Sequence, residues 1–593
     1  MPYLRFSRCA RWQLTRWCVL SKLQNRSLDW HLNAAIALLL ALLAFAVRID
    51  HIGFNSLSED ESAKWLAIQE YRHGHFAGVN SEHPLLPKAL AWASLAIGEQ
   101  WNRLASSHGW SPTNLEGWLR LPNVLFGSGT AVILFLFCRQ MMGIAGSFAA
   151  GFFWAVAPLT VAINRLAKEE TPVTFFTLLG CYLYCRAKQA TTEVSTGRWR
   201  DLSGISFGLG LASQYMVHLF GLNALAWHVA GRRGLDHKRL GYRRLLIMLV
   251  VALVLANPLI LSPTSCLTAI HWLKHAGVRH TGYDFAGTLY PNFPGRLFSG
   301  VPWYFYFWLL LVKTPIPILV AMIVGSILLL RQRHTIASCF FYTLGLVQLI
   351  ALSVCGAKWM RYSLILMPFL LMAAGYGVQH AWNYAKKRNL SLVPVGMVAL
   401  VLFAWPLVEL RAWTPYYPFY LNSIGGGTKN ITRYFAPDEV SEFDTREVAQ
   451  EICPAAPTGL RLATSRPLSM TFYLSSCGRS DIQIMPLYDP AYVPGHGDVI
   501  VLEPARRFLE TQKYFDMLRD SGMPNKEVRV GPVLASTIYL YQPSAPVEDG
   551  SEQQMILSWS RHPQLSSHAD INKLNWASVH MASLWRFPER RQP

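Results

Sequence analysis

The run Leu32-Asn-Ala-Ala-Ile-Ala-Leu-Leu-Leu-Ala-Leu-Leu-Ala-Phe-Ala-Val47, followed shortly by Ser58-Glu59-Asp60-Glu61-Ser62, sets how the rest of the chain reads. With its flanks, the first segment approaches the roughly 20 apolar residues that a helix needs to cross the hydrocarbon of a bilayer. The second places three acids just past its end, in a protein of formal charge +19. Acids at a membrane surface cost little. Acids at a span end, followed by His83-Pro84 and Lys88, have the pattern of a site.

Working outward, 52% of the 593 residues are hydrophobic and 15% charged, and the mean hydropathy is +0.22. That is too apolar for an ordinary soluble domain. Charges are sparse over long stretches, so the chain reads as a polytopic α-helical membrane protein. The excess Lys and Arg fall in short loops between apolar runs, as orientation by cytoplasmic positive charge requires. No basic run interleaved with aromatics lies on a polar domain, which argues against nucleic acid as a partner.

Residues 1–31 form a basic N-terminus on the cytoplasmic side, and the first apolar run lacks a small-residue cleavage site and reads as a retained anchor. Residues 32–411 form the membrane region, with long outer loops at 50–118 and 264–300. Spans are expected near 121–138, 143–162, 171–186, 243–262, 302–330, 335–354, 362–380 and 391–409. The stretch 202–231 must begin and end inside, so it reads as two short helices with a break near Ser213-Gln214-Tyr215, and 302–330 is interrupted at Lys313-Thr-Pro-Ile-Pro317. The count is about eleven transmembrane helices by hydropathy and charge. Residues 412–545 read as a soluble α/β domain outside the cytoplasm. Its strands are expected at Asp498-Val-Ile-Val-Leu502 and Thr537-Ile-Tyr-Leu-Tyr541, and its helices at 445–452 and 508–520. Residues 546–593 form a polar tail without period, of disordered composition. Cys453 and Cys477 are the only cysteines of the polar region, either disulfide-bonded or two buried thiols.

The ionisable residues assigned to outer span ends are Asp60, Glu61, Lys88, Arg120, Arg165, Glu169, Glu170, Arg279, Lys358 and Arg361. Any one alone is an ordinary interfacial anchor. Together they mix acids and cations on one side, which suits a phosphorylated donor and a hydroxyl acceptor. An attacking alcohol needs a carboxylate base. A departing phosphate needs cations rather than an acid.

The motifs that carry a family resemblance follow in order: Asp60-Glu61; His83-Pro-Leu-Leu-Pro-Lys88; Leu119-Arg120-Leu-Pro-Asn-Val-Leu-Phe-Gly127; Arg165-Leu-Ala-Lys-Glu-Glu170-Thr; Pro302-Trp-Tyr through Lys313-Thr-Pro315; Lys358-Trp-Met-Arg361-Tyr362; Tyr416-Tyr-Pro through Gly425-Gly-Gly427; and Pro437-Asp-Glu439. Along nearly the whole membrane region the chain resembles GT-C glycosyltransferases of the dolichyl-phosphate-mannose–protein mannosyltransferase type, including bacterial relatives that transfer aminoarabinose to lipid A. It departs from them at Glu170, where Asp is usual, and at Gln214, where many relatives have Lys.

The resemblance implies inverting transfer of a sugar from a polyprenyl-phosphate donor to a hydroxyl or phosphate acceptor. That acceptor would belong to a protein (protein O-mannosylation), lipid A (lipid A modification) or another cell-envelope glycolipid. The implied setting is a bacterial inner membrane, with the site facing the periplasm. Carried over by position, Asp60 is the base. Glu61 and Glu170 shape the site or orient the acceptor, although Glu61 also fits a plain surface acid. Lys88, Arg120, Lys358 and Arg361 contact the donor phosphate. His83, Arg165 and Arg279 are further site candidates, with His83 equally readable as a loop histidine before Pro84. Lys313 reads either as a headgroup contact or as a snorkelling lysine. No cofactor is required; Asp60 and Glu170 could offer ligands to a divalent metal, but their spacing does not demand one. A transporter or flippase of a lipid-linked sugar is the alternative, disfavoured by the lack of internal repeats and of midplane charges. A scaffold is disfavoured because a single span would suffice to anchor one.

Overall fold

A computed structural model describes residues 30–542, apart from residues 77, 110, 112, 237, 239, 276–280, 294–295 and 521–523. The basic N-terminus, Arg279 and the polar tail lie outside the described residues.

The membrane part is a bundle of helices. Among the described residues, Trp30–Ile49, Leu115–Cys138, Ile336–Val354 and Leu392–Ala412 are each long and apolar enough to cross a bilayer. Ile144–Val156 and Pro158–Asn164 make a fifth crossing if taken as one span bent by 57°. Length and composition therefore support a multi-span protein without reaching the expected eleven. Several other helices are shortened by breaks, or are more polar. The region 193–232 is two helices, Glu193–Ser213 and Val217–Arg232. Phe305–Lys313 and Ile316–Arg331 flank the Thr314-Pro315 break. At the second break Pro315 lacks the N–H that would continue the ladder, and it pushes Thr314 out of the helical region.

Close helix contacts depend on small residues. At Gly204 and Gly208 a Cβ would lie 2.5 Å and 2.3 Å from the carbonyl oxygens of Leu245 and Leu249, so helix Glu193–Ser213 rides directly on the backbone of Tyr242–Ala256. This one-turn spacing of small residues is a common device for packing helices in lipid.

The loop before helix Phe305–Lys313 contains an antiparallel hairpin, β1 (Tyr283–Phe285) and β2 (Thr288–Tyr290). The C-terminal region then builds a five-stranded mixed sheet from β3 (Arg461–Thr464), β4 (Gln483–Pro486), β5 (Val499–Leu502), β6 (Lys526–Val530) and β7 (Val533–Leu540), in the order β4-β3-β5-β7-β6. β3 runs parallel to β4 and β5, and β7 runs antiparallel to β5 and β6. β5 is central and buried along its length, which explains its unbroken apolar reading. Helices Thr445–Ala455, Pro467–Ser476 and Gln512–Asp520 accompany the sheet. Cys453 and Cys477 form a disulfide that ties the first two together.

Candidate active site

The site begins at the N-terminus of helix Glu59–Arg72. Ser58 caps it, and the Glu61 carboxylate reaches back to the Ser58 N–H at 2.9 Å, forming a capping box. The same carboxylate receives Arg120 Nε and NH2, both at 2.8 Å, and the Ala167 N–H at 2.8 Å. Glu61 is fully enclosed. Burial alone would raise its pKa, but Arg120 and these hydrogen bonds overcome it and hold the carboxyl at about 2. Arg120 also donates from NH1 to the Ile52 and Asn55 carbonyls (3.2 and 2.9 Å) and from NH2 to the Ser56 carbonyl (2.6 Å). All five of its N–H donors are thus engaged. Arg120, a candidate for the donor phosphate, here joins residues 52–61 to the helix Leu115–Cys138.

Asp60, one residue before Glu61, points elsewhere. Its side chain is 50% exposed, and Lys168 Nζ lies 2.9 Å from Oδ2, with Arg361 NH2 3.8 Å from the same oxygen. Arg361 Nε donates to Glu170 Oε1 at 3.1 Å. Glu170 Oε2 is buried without a hydrogen-bond partner. One turn along the helix, Lys64 Nζ pairs with Glu169 Oε1 at 2.9 Å. Three cations and three carboxylates therefore gather in one cluster, with Asp60 shared by Lys168 and Arg361, Arg361 also on Glu170, and Lys64 on Glu169. The partial desolvation of this half-exposed carboxyl would push Asp60 up, but Lys168, Arg361 and Lys64 together hold it well below the usual range. Burial would likewise raise the Glu169 carboxyl, but Lys64 and His83 bring it to about 2.

Lys64 escaped the sequence reading, although its position four residues after Asp60 puts both on one helix face. Lys168 lay inside a quoted motif with no role attached.

The remaining candidates hold loops. Lys88 is fully buried and donates to the carbonyls of Asn80 and His83 at 2.5 and 3.0 Å. Burial lowers its pKa to about 8. Lys358 Nζ donates to the Cys355 carbonyl at 2.5 Å, and its backbone N–H donates to Asn292 Oδ1 at 2.8 Å. Arg165 NH2 donates to the carbonyls of Asp50 and His51 at 2.6 and 2.5 Å, and the guanidinium packs over the Tyr417 ring at 4.9 Å. Lys313, buried at its helix break, donates to the Pro418 carbonyl at 2.7 Å. At the other break, Gln214 Oε1 is buried without a hydrogen-bond partner, and Asn257 Nδ2 donates to Tyr215 Oη at 2.9 Å.

The donor set does not fit a divalent metal. Arg361 already bridges Asp60 and Glu170, and Lys168 neutralises Asp60. Among the described residues, no group of three or more His, Cys, Asp or Glu side chains is arranged to hold an ion.

The C-terminal domain packs against the helix that carries Asp60. The Glu59 carboxylate accepts from the Leu468 and Ser469 N–H groups and from Ser469 Oγ, each at 3.0 Å, at the start of helix Pro467–Ser476. The Glu59 N–H donates to Glu442 at 2.6 Å, and Arg506 pairs with Glu442.

Residues 113–260 match the family model described as dolichyl-phosphate-mannose-protein mannosyltransferase. A comparison with curated proteins returns no match. Among solved structures, the chain is similar to ArnT from Cupriavidus metallidurans in the apo state, with a TM-score of 0.50 and 13% identity, covering 86% of this chain and 98% of that one. The same ArnT bound to undecaprenyl phosphate gives 0.47 and 12%, covering 86% and 97%. The Archaeoglobus fulgidus oligosaccharyltransferase AglB, in complex with an inhibitory peptide and a dolichol-phosphate, gives 0.46 and 10%, covering 77% and 64%. The apo ArnT match shows a shared fold.

Proposed function

We propose that the chain, whose residues 113–260 match the family model described as dolichyl-phosphate-mannose-protein mannosyltransferase, is a membrane glycosyltransferase of the GT-C type that moves a sugar, with inversion, from a polyprenyl phosphate to a hydroxyl or phosphate acceptor. The acceptor belongs to a protein, lipid A or another glycolipid. The site faces the periplasm of a bacterial inner membrane.

One observation carries this reading: a half-exposed carboxylate, Asp60, shares its oxygen with Lys168 and Arg361. The acceptor oxygen attacks the anomeric carbon from the face opposite the leaving group. The bond from that carbon to the phosphate oxygen breaks, and its electron pair stays on the lipid phosphate. The acceptor proton passes to Asp60 and then to water. Lys168, Arg361 and Lys64 take up the charge growing on the phosphate. Glu170, with one free oxygen beside Arg361, orients a hydroxyl or amine of the sugar or acceptor. Glu61 and Arg120 fix the loop that carries Asp60, and Lys88, Lys358 and Arg165 brace the chamber walls.

A carboxylate held so far below its usual pKa is a weak base. The geometry offers the remedy: a bound phosphate competes for Lys168 and Arg361, and Asp60 becomes more basic as it loses them. The acid limb of kcat should therefore lie above that of kcat/KM, by roughly one pH unit. The first reports the complex and the second the free enzyme. Coincident or reversed limbs would argue against this exchange of partners.

The reading is tested with the full chain in vesicles, using a panel of labelled polyprenyl-phosphate sugars and crude envelope acceptors. Label in an acceptor with inverted anomeric configuration supports it. Movement of intact donor across the bilayer without glycosyl product overturns it in favour of a transporter.

A further inference from the structure

We propose that Glu439, at the start of the outer domain, is a positioning residue that sets Arg361 in the chamber. This rests on the reading of Asp60, Lys168 and Arg361 given above.

Arg361 has to reach two carboxylates at once, Asp60 and Glu170. Its own backbone follows the extended Trp359 and lies in a short 3-10 helix, Met360–Ile365, rather than within a long α-helix. Something else must therefore fix where the guanidinium starts from. Glu439 Oε1 accepts the Met360 N–H at 2.6 Å, immediately before Arg361. Its other oxygen accepts Tyr283 Oη–H at 2.5 Å, from β1 of the second outer loop. On the near side, Tyr306 Oη donates to the Trp359 carbonyl at 3.2 Å and accepts the Trp359 N–H at 3.3 Å. Glu439, Tyr283, Tyr306 and Met360 are all buried. The Trp359-Met360 backbone is thus gripped from both sides, by a membrane helix and by the outer domain.

The hairpin that supplies Tyr283 is itself held by that domain. Arg507 NH2 binds Asp284 at 2.6 Å, the Ala286 N–H donates to the Tyr434 carbonyl at 3.0 Å, and the Leu509 N–H donates to the Thr281 carbonyl at 2.8 Å. The second outer loop, the outer domain and Arg361 therefore meet at one carboxylate. A charge buried here would be costly for packing alone. It is accounted for if its two oxygens place a catalytic guanidinium.

The test is a double-mutant cycle on the full chain in nanodiscs, with undecaprenyl phosphate as the binding probe and thermal unfolding followed in parallel. Arg361→Ala should weaken binding about tenfold or more, about 1.4 kcal/mol. Glu439→Ala should weaken it by a similar factor, and in the Arg361→Ala background it should add less than about twofold, because it acts through the same side chain. Glu439→Gln keeps an acceptor for the Met360 N–H and should stay within about threefold of the parent. If Glu439→Ala does not fold, Tyr283→Phe, which frees one oxygen of Glu439, carries the same cycle with a smaller first step. Additive losses, or a Glu439 or Tyr283 variant that unfolds earlier but binds normally, overturn the positioning role. Normal binding by Arg361→Ala would instead overturn the underlying reading of the chamber.

Discussion

Asp60→Asn should stop glycosyl transfer while leaving the protein inserted, folded and able to bind undecaprenyl phosphate more tightly than the parent. The amide is nearly isosteric, so the contact with Lys168 at 2.9 Å loses charge but not shape. Loss of a positioned base costs about 10² to 10⁴ in rate, and Asp60 is the half-exposed acid of the three beside these cations, whereas Glu169 and Glu170 are buried. Binding moves in the opposite direction. With Asp60 neutral, Lys168 loses its carboxylate and Arg361 keeps only Glu170, so an incoming phosphate meets less competition for both. A single-turnover assay with labelled donor, set beside equilibrium binding of undecaprenyl phosphate, separates the two effects. Transfer within tenfold of the parent would remove Asp60 from the mechanism. Loss of both binding and transfer would make it a structural residue.

Part of this chamber is legible without coordinates, and the division has physical reasons. Asp60, Glu170 and Arg361 fall at ends of apolar runs that hydropathy and the basic loops put on one side, and the family resemblance joins them in one site. The break at 214–216 is readable because the basic flanks require an even number of crossings. The bend between Ile144–Val156 and Pro158–Asn164 was hidden inside one apolar run, 143–162, where Pro158 was the only sign. Two strands of the outer sheet, β5 and β7, show continuous or alternating apolar residues. β3, β4 and β6 are short and lie beside polar residues, so their pairing is tertiary. The hardest residues were the cations. Lys88, Arg120, Lys358 and Arg361 look alike as charges at span ends. What distinguishes them is the backbone carbonyls around each: three for Arg120, two for Lys88 and one for Lys358. Those carbonyls belong to irregular loops, whose path sequence patterns do not reveal.

Arg120→Ala should destabilise the protein rather than weaken donor binding selectively. Removing the guanidinium leaves the Glu61 carboxylate fully enclosed with only two backbone N–H donors, from Ser58 and Ala167, and the Ser58 hydroxyl. The carbonyls of Ile52, Asn55 and Ser56 also lose their partner. Breaking one side of a buried ion pair costs about 3–5 kcal/mol. Replacing both partners with apolar residues, Glu61→Leu with Arg120→Met, should recover part of that loss, because no charge is left stranded. The sign of the pH effect follows from the same pair. Glu61 is held at about 2, so its contribution to stability is complete above the ordinary Glu pKa and fades as pH falls toward 2. Thermal unfolding in detergent at neutral and acidic pH, with protease cleavage of the 50–58 segment as a local probe, measures all of this. An Arg120→Ala protein with parental stability and cleavage but a large loss of undecaprenyl phosphate affinity would return Arg120 to the donor phosphate, and would require the loop geometry around it to open on binding.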